Sequence, residues 1–176
     1  YNIIAQAQKI NNTSRISWKV FTTNGVSQFE VQRATGNGIY QTIASINPTP
    51  LLDYDFTDLI FSNGVNQYRI KVIRQNGAIA YSNIVAIISD SKGLLITTIA
   101  PNPVQSHAYL TISSGKAASA QFNVYDITGK LVKYFQRNIA EGSTVFPLDM
   151  TDLATGLYYI MATTAESKAV FRFSKQ

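Results

Sequence analysis

Apolar and polar residues alternate with a period of two along most of the chain, and helical spacing is nearly absent. In residues 15–21, Ile16, Trp18 and Val20 fall on one face of an extended segment, with polar residues between them. The same alternation recurs in residues 28–32, 68–72 and 121–124. Such alternation is typical of half-buried strands, so the pattern predicts an all-β chain.

Turn signals separate these segments. Asn-Gly occurs four times in the first half, at residues 24–25, 37–38, 63–64 and 76–77. Asn and Gly both tolerate positive φ, so Asn-Gly between alternating segments is the strongest short hairpin signal. In the second half, glycines at 93, 115, 129, 142 and 156 recur at steps of 13 to 22 residues. We therefore expect two tandem antiparallel β-sandwiches.

One segment departs from the alternation. Residues Leu157–Met161 are apolar on both faces. This pattern predicts a central strand that is covered on both sides or lies at a domain contact. By contrast, the last segment, Ala169–Lys175, alternates again and places Val170, Arg172 and Ser174 on one face.

A polar, turn-forming stretch near the middle of the chain predicts a domain boundary. Residues 89–93 read Ser-Asp-Ser-Lys-Gly and separate the apolar segment 84–88 from the apolar segment 94–99. We expect one domain over residues 1–90 and a second over residues 91–176. The chain begins at Tyr1 with no signal peptide, so we also expect it to be a piece of a longer protein.

Composition narrows the function classes. Residues 1–90 hold seven Lys and Arg against five acids, and residues 91–176 hold eight against five, so the net charge of +5 is dispersed. Nucleic-acid binders concentrate such charge on one face, so we expect no nucleic-acid partner. The chain has no cysteine and no apolar run near the ~20 residues of a membrane span, so we expect no disulfide, no thiolate site and no membrane insertion.

The chemistry-bearing residues do not form a recognisable reaction centre. His107 is the only histidine and has no acid or nucleophile near it in sequence. The acidic group Asp53, Asp55 and Asp58 lacks the spacing of a calcium loop and indicates turn and strand-end roles. Neither Glu30 nor Glu141 shows a spacing that supports paired catalytic carboxylates with that group. Gly36-Asn37-Gly38 lacks the following helix that a phosphate loop needs. We predict no catalytic residue, no cofactor and no metal, although a hydrolase whose carboxylates meet only in three dimensions stays an alternative.

The ten tyrosines leave a glycan partner open. An aromatic platform for sugar stacking could form from Tyr40, Tyr54, Tyr81, Tyr125 and Tyr134. Tyrosine is also an ordinary core and corner residue of β-sandwiches. Three or more exposed, coplanar rings on one sheet would favour the sugar binder.

The second half carries four motifs in a fixed order. They are Pro101-Asn102-Pro103 after the segment 94–99, the run Val124–Val132 with Asp126 and Gly129, residues 153–158 with Leu153, Gly156 and Tyr158, and a basic tail with Lys168, Arg172 and Lys175. This half resembles the type A C-terminal sorting domain of the type IX secretion system of Bacteroidetes. One departure is Ala100, where an aromatic residue is common in the family.

The first half resembles the fibronectin type III-like modules that often precede such sorting domains. The matching segments occur in the expected order: Ile16-Ser17-Trp18, residues 29–33, Tyr54–Asp58, residues 67–70, and Asn76-Gly77 followed by Tyr81-Ser82. The resemblance implies an immunoglobulin/fibronectin III-like sandwich and says little about a ligand.

The resemblance implies that the chain is a non-catalytic export and surface-sorting signal with a spacer. An outer-membrane translocon would read the folded domain after passage through the periplasm, and a surface sorting peptidase would remove it. The protein would be secreted or displayed at the cell surface. Cleavage would fall within Ser89, Asp90, Ser91, Lys92, Gly93 and Leu94. The alternative function is a carbohydrate-binding or adhesion module of a secreted multidomain protein.

The motif residues also carry local structural predictions. Pro101 and Pro103 restrict φ and should make a rigid kink. The carboxylate of Asp126 should accept backbone N–H groups in a turn in which Gly129 adopts positive φ, and we expect Gly156 to do the same before the next strand. The edge of the last strand could bind a receptor by strand addition.

Overall fold

A computed structural model describes residues 3–35, 38–60 and 62–176. In these ranges every regular element is a β-strand, and the strands pair antiparallel, which confirms the all-β prediction. The chain divides into two compact units, residues 1–89 and residues 90–176. No helix in the described residues is long and apolar enough to cross a membrane.

The first unit has two sheets. Its strands are β1 (Ile3–Ile10), β2 (Thr13–Val20), β3 (Val26–Thr35), β4 (Gln41–Ile46), β5 (Asp53–Asp58), β6 (Val65–Arg74), β7 (Ile79–Tyr81) and β8 (Val85–Ile88). One sheet has the order β1-β2-β5, and the other has the order β4-β3-β6-β7 with β8 also paired to β6. Apolar side chains of both sheets form one core.

Aromatic rings hold the centre of this core. Trp18 stacks on Tyr54 at 5.5 Å between ring centroids and meets Phe29 edge-on at 6.0 Å. Ile16 and Val20 are buried beside Trp18, as the alternation predicts. Aromatic pairs in these geometries contribute about 1 kcal/mol each beyond their buried area.

The Asn-Gly signals lie in turns. Gly25, Gly38, Gly64 and Gly77 all have positive φ, between 72° and 90°. Gly38 and Gly77 lie between strands that pair with each other, so the hairpin prediction is confirmed there. Gly25 and Gly64 lie between strands of different sheets, so the hairpin prediction is wrong at these two turns. Asn37, together with Gly36 of the rejected phosphate loop, lies outside the described residues.

The second unit also has two sheets. Its strands are β9 (Leu94–Ala100), β10 (His107–Ser114), β11 (Ala118–Asp126), β12 (Leu131–Ile139), β13 (Gly142–Asp149), β14 (Gly156–Thr163) and β15 (Lys168–Lys175). The sheets have the orders β13-β10-β9 and β12-β11-β14-β15. Phe122 stacks on Phe135 at 5.0 Å and meets Phe146 edge-on at 5.3 Å in the core between them.

The prediction for Leu157–Met161 is confirmed for a central strand and wrong for a cover on both faces. Tyr158 and Ile160 are buried, but Leu157 is 37% exposed and Tyr159 is 39% exposed. β14 lies inside a sheet, with β11 and β15 as neighbours, yet only one face of that sheet packs on the core. A strand of an antiparallel sandwich packs only one of its faces on the core. Apolar residues on both faces therefore do not imply that both faces are buried.

Candidate functional site at one end of the C-terminal sheet

Strand register brings motifs that are far apart in sequence to one end of the sheet β12-β11-β14-β15. Asp126 at the end of β11 is paired with Tyr158 of β14, and Tyr158 is paired with Phe173 of β15. Gly156, the first residue of β14, is paired with Lys175, the last residue of β15. We call this end of the sheet the motif end.

The Pro-Asn-Pro segment fastens the last strand at the motif end. Val104 forms a parallel bridge with Lys175, in which Val104 N donates to Ser174 O at 2.7 Å and Gln176 N donates to Val104 O at 2.8 Å. The Asn102 Oδ1 accepts from Ser174 N at 3.0 Å and from Ser174 Oγ at 3.1 Å. Both peptide bonds that precede Pro101 and Pro103 are cis. The segment therefore binds the end of β15 through both backbone and side chain.

The Asp126 turn forms as predicted. Asp126 Oδ1 accepts from Thr128 Oγ1 at 2.6 Å, from Thr128 N at 2.8 Å and from Lys130 N at 3.1 Å. Gly129 has a φ of 83°, which a residue with a side chain rarely adopts. The hydrogen bond from the Thr128 hydroxyl, helped by the backbone donors, lowers the pKa of Asp126 below its ordinary value. The carboxylate is thus ionised at neutral pH and orders the turn.

The Leu153–Tyr158 motif is anchored to the core. Leu153 is buried, and the ring of Tyr158 stacks on Phe173 at 5.6 Å. The Tyr158 hydroxyl donates to Ala154 O at 2.8 Å, which closes the loop before β14. The prediction of positive φ for Gly156 is wrong, because Gly156 already belongs to β14 and its backbone is not left-handed.

The three basic residues of the predicted tail lie at different levels of β15. Lys175 is at the motif end, opposite Gly156, and Arg172 is opposite Tyr159. Lys168 is opposite Thr163 at the other end of the strand pair. The structure therefore brings Lys175 to the other motif residues, places Arg172 part-way along the strand, and leaves Lys168 apart.

The predicted cleavage region forms a closed turn. Gly93 N donates to Asp90 O at 2.9 Å, and Lys92 N donates to Asp90 Oδ1 at 2.9 Å. The Gly93 carbonyl accepts from Gly115 N at 2.9 Å, and the Ser167 hydroxyl donates to the Lys92 carbonyl. Residues 90–92 are nevertheless exposed. Ser89 belongs to the first unit, where its backbone N–H donates to Gly64 O at 3.0 Å.

Sequence reasoning missed Gly115 as a partner of this turn. A Cβ at Gly115 would lie 1.8 Å from the Asp90 carbonyl oxygen, far inside any real contact. The close approach of two backbones therefore requires glycine here. The signal was an isolated glycine just after an alternating strand, which often marks such an approach.

The other chemistry-bearing residues lie elsewhere. In the second unit, Nε2 of the exposed His107 is 4.0 Å from Asp149 Oδ1. In the first unit, the Asp58 carboxylate accepts hydrogen bonds from Arg33 at 2.6 Å and from the buried Tyr68 hydroxyl at 3.0 Å. Within the described ranges no three His, Cys, Asp or Glu residues are grouped to hold a metal ion.

The five candidate platform tyrosines do not come together. Tyr54 stacks in the first core, and Tyr40 and Tyr81 lie on either side of Arg69 in the first unit. Tyr125 and Tyr134 belong to β11 and β12 of the second unit. The five rings therefore do not lie on one sheet, and the expectation that several of them face outward together as a sugar platform stays a prediction.

Comparisons with solved structures give distant similarities. The chain is similar to latent PorU from Porphyromonas gingivalis (14% identity, 97% of this chain and 18% of that one, TM-score 0.42). It is also similar to the fibronectin(III)-like modules of CbhA from Clostridium thermocellum, at 13% identity over 98% of this chain and 93% of that one, with a TM-score of 0.35. A third similarity is to pectate lyase PelI from Erwinia chrysanthemi, at 21% identity over 55% of this chain and 30% of that one, with a TM-score of 0.40. The chain spans about a third of the length of the pectate lyases that it matches. Among curated proteins nothing matches.

The family comparison is specific. Residues 98–176 match the family model described as the secretion system C-terminal sorting domain. The match begins in β9 and includes the Pro-Asn-Pro segment, the Asp126 turn, the Leu153–Tyr158 motif and β15, which are the elements of the motif end. The chain thus carries the C-terminal sorting domain of the type IX secretion system of Bacteroidetes, a non-catalytic export signal, and the protein is secreted or located at the cell surface.

Proposed function

We propose that the motif end and the adjoining edge of β15 are the surface that the outer-membrane translocon reads. The observation that carries this proposal is the register, which places Asp126, Gly156 and Lys175 on neighbouring strands of one sheet. Recognition of a folded export signal needs a surface that exists only after folding, and residues so distant in sequence meet only in the native sheet.

The edge of β15 supports a recognition mode. β15 is the outermost strand of its sheet, Val104 pairs with its last residues, and β9 of the other sheet packs near it. An edge strand offers backbone N–H and C=O groups to which an extended segment of a receptor can add. Arg172 is exposed on this strand and can contribute a charged contact beside the backbone pairing.

The test is an export assay that keeps the domain folded. Residues 89–176 are fused behind a fluorescent protein in a type IX-competent bacterium, and fluorescence in the medium and at the cell surface is measured. Deleting residues 169–176 would also remove Phe173 from the core, so a surface exchange is sharper. We expect Arg172→Glu to lower export while the domain stays folded, with Arg137→Glu on β12 as the matched control. Equal export of both variants would overturn the proposal.

We also propose that the sorting peptidase cuts within residues 89–94. The exposure of residues 90–92 supports this position, and the hydrogen bonds of the turn imply that it opens before cleavage. A peptidase binds its substrate in extended form, which the Asp90–Gly93 turn does not offer. Mass spectrometry of the released protein tests the position, and a new terminus outside these residues would contradict it.

For the first unit, we propose a fibronectin type III-like, non-catalytic domain over residues 1–90 that acts as a spacer before the sorting domain over residues 91–176. Its two antiparallel sheets over one core support this assignment. A second candidate role is carbohydrate binding, which one observation favours: Tyr40 and Tyr81 lie on either side of Arg69. Glycan-array binding by the full chain, with and without Tyr81→Ala, separates the spacer from the binder.

A further inference from the structure

Arg69 of β6 is held between two aromatic rings. Its guanidinium carbon is 4.0 Å from the ring centre of Tyr40 and 4.2 Å from that of Tyr81. Tyr40 precedes β4 and Tyr81 ends β7, so the two rings reach Arg69 from opposite edges of the sheet β4-β3-β6-β7. Both ring contacts are within the range of cation–π attraction.

A hydrogen bond to Gln32 of β3 also fixes the Arg69 side chain. Arg69 Nε donates to Gln32 Oε1 at 2.9 Å, and Gln32 is only 7% exposed. The Gln32 amide in turn donates to Glu30 and to Thr42, each at 3.2 Å. The orientation of the guanidinium is therefore set before any ligand arrives, which lowers the entropy cost of binding.

The charge of Arg69 has no anionic partner in the described residues. The nearest acid on the network is Glu30, whose Oε2 accepts from Lys71 Nζ at 3.1 Å. Burial by itself raises the pKa of Glu30, but the hydrogen bonds from Lys71 and Thr42 outweigh it and lower the pKa, so Glu30 is ionised and neutralises Lys71. Arg69 thus adds one uncompensated positive charge to this sheet face.

The free edge of Arg69 defines the ligand group. Two rings lie against the guanidinium and Gln32 accepts from Nε, so the two terminal NH2 groups remain, and neither has a hydrogen-bond partner within residues 3–35, 38–60 and 62–176. Two parallel N–H groups in a plane match the two oxygens of a carboxylate.

The surroundings favour a sugar over a peptide. Neutral amide and hydroxyl groups border the guanidinium: the Tyr40 hydroxyl donates to Gln67 Oε1 at 3.2 Å, and Tyr81 is 42% exposed. Burial raises the pKa of Tyr40, so this hydroxyl is a neutral donor at pH 7. With Lys71 neutralised by Glu30, Arg69 is left as one cation beside aromatic rings and neutral polar groups, which suits one carboxylate per sugar ring, and a secreted protein meets such glycans.

We propose that Arg69, Tyr40 and Tyr81 form a subsite for the carboxylate of a uronic acid in an acidic glycan. The inference rests on the second candidate role of the first unit and names its ligand class.

The test is calorimetric titration of the full chain with a β-1,4-mannuronate hexamer, with the neutral β-1,4-mannose hexamer as the counterpart that lacks the carboxylates. We expect binding of the acidic hexamer at least about tenfold tighter than of the neutral one, since a charge-assisted pair is worth about 1.4 kcal/mol or more. Arg69→Lys retains the positive charge but lacks the two parallel N–H groups of the guanidinium, so it should weaken the binding of the acidic hexamer by about tenfold. Tyr81→Ala should weaken it as well.

The matched control is Arg137→Lys, because Arg137 of β12 also lies over a ring, that of Phe135 at 5.6 Å, in the other unit. It should leave binding unchanged, and the fluorescence of Trp18 verifies that each first-unit variant is folded. Equal binding of both hexamers would overturn the carboxylate subsite while glycan binding stands. Binding of neither hexamer would overturn both, and equal binding of a poly-glutamate peptide would replace the glycan with an acidic peptide.

Discussion

The closed turn at residues 90–93 depends on the absence of a side chain at Gly115. In Gly115→Ala the added methyl would start 1.8 Å from Asp90 O, so the turn must retreat by more than about 1 Å. The Gly115 N–H to Gly93 O hydrogen bond at 2.9 Å is then lost. Overpacking costs about 1–3 kcal/mol and a hydrogen bond about 1 kcal/mol, so we expect the closed turn to weaken by at least about 2 kcal/mol.

Trypsin offers a direct assay of this opening. Lys92 is the only Lys or Arg between Arg74 and Lys116, so a cut there yields two fragments, residues 1–92 and 93–176. At low trypsin concentration the rate follows the population of the open turn. A loss of about 2 kcal/mol therefore predicts cleavage about 30-fold faster in Gly115→Ala.

Two comparisons make the result specific. Gly156→Ala is the matched control, because its added methyl would lie 3.6 Å from the Tyr158 ring, an ordinary contact, and its backbone is not left-handed. Cleavage after Lys130, in the exposed Asp126 turn, is the internal reference, since global unfolding would accelerate both cuts. A Lys92 cleavage rate within twofold of wild type in Gly115→Ala would refute the reasoning.

Three further outcomes are expected. Asp58→Ala leaves Arg33, whose side chain is 18% exposed, without its anionic partner, and we expect the free energy of unfolding of the first unit to fall by about 3 kcal/mol. Urea unfolding followed by the fluorescence of the single tryptophan measures this change, and Asp53→Ala at an exposed ion pair should change it little. Because the pKa of Asp126 is lowered in the folded state, its ionisation stabilises the turn above the ordinary pKa of 3.8, and this stabilisation is lost as pH falls through the folded value. The protection of the amides of residues 126–130, measured relative to their intrinsic exchange rate at each pH, should therefore fall in acid, and in Asp126→Ala it should already be lower at pH 7. Asn102→Ala removes the oxygen that accepts from Ser174 and should lower the stability of the end of β15 by about 1 kcal/mol, measured as faster exchange of the Ser174 amide. Unchanged protection of that amide would contradict a stabilising role for Asn102.

Local sequence determined the elements and their turns. Alternation at Ile16, Trp18 and Val20 predicts which side chains enter the core, because successive residues of a strand point to opposite faces. The Asn-Gly pairs predict their turns, because positive φ is a property of one or two residues. The Asp126 turn follows for the same reason: its carboxylate and its donors lie within five consecutive residues.

Register and close approach were decided only by the tertiary structure. Sequence order could not show that Gly156 faces Lys175 or that Asn102 caps Ser174, since these pairs depend on how β14, β15 and the Pro-Asn-Pro segment align. The misassigned Gly156 and Leu157–Met161 show the same limit, because φ at a strand start and the cover of a sheet face are set by neighbours. The roles of Gly115 and Arg69 depend on contacts with residues more than ten positions away, which a pattern of period two does not encode.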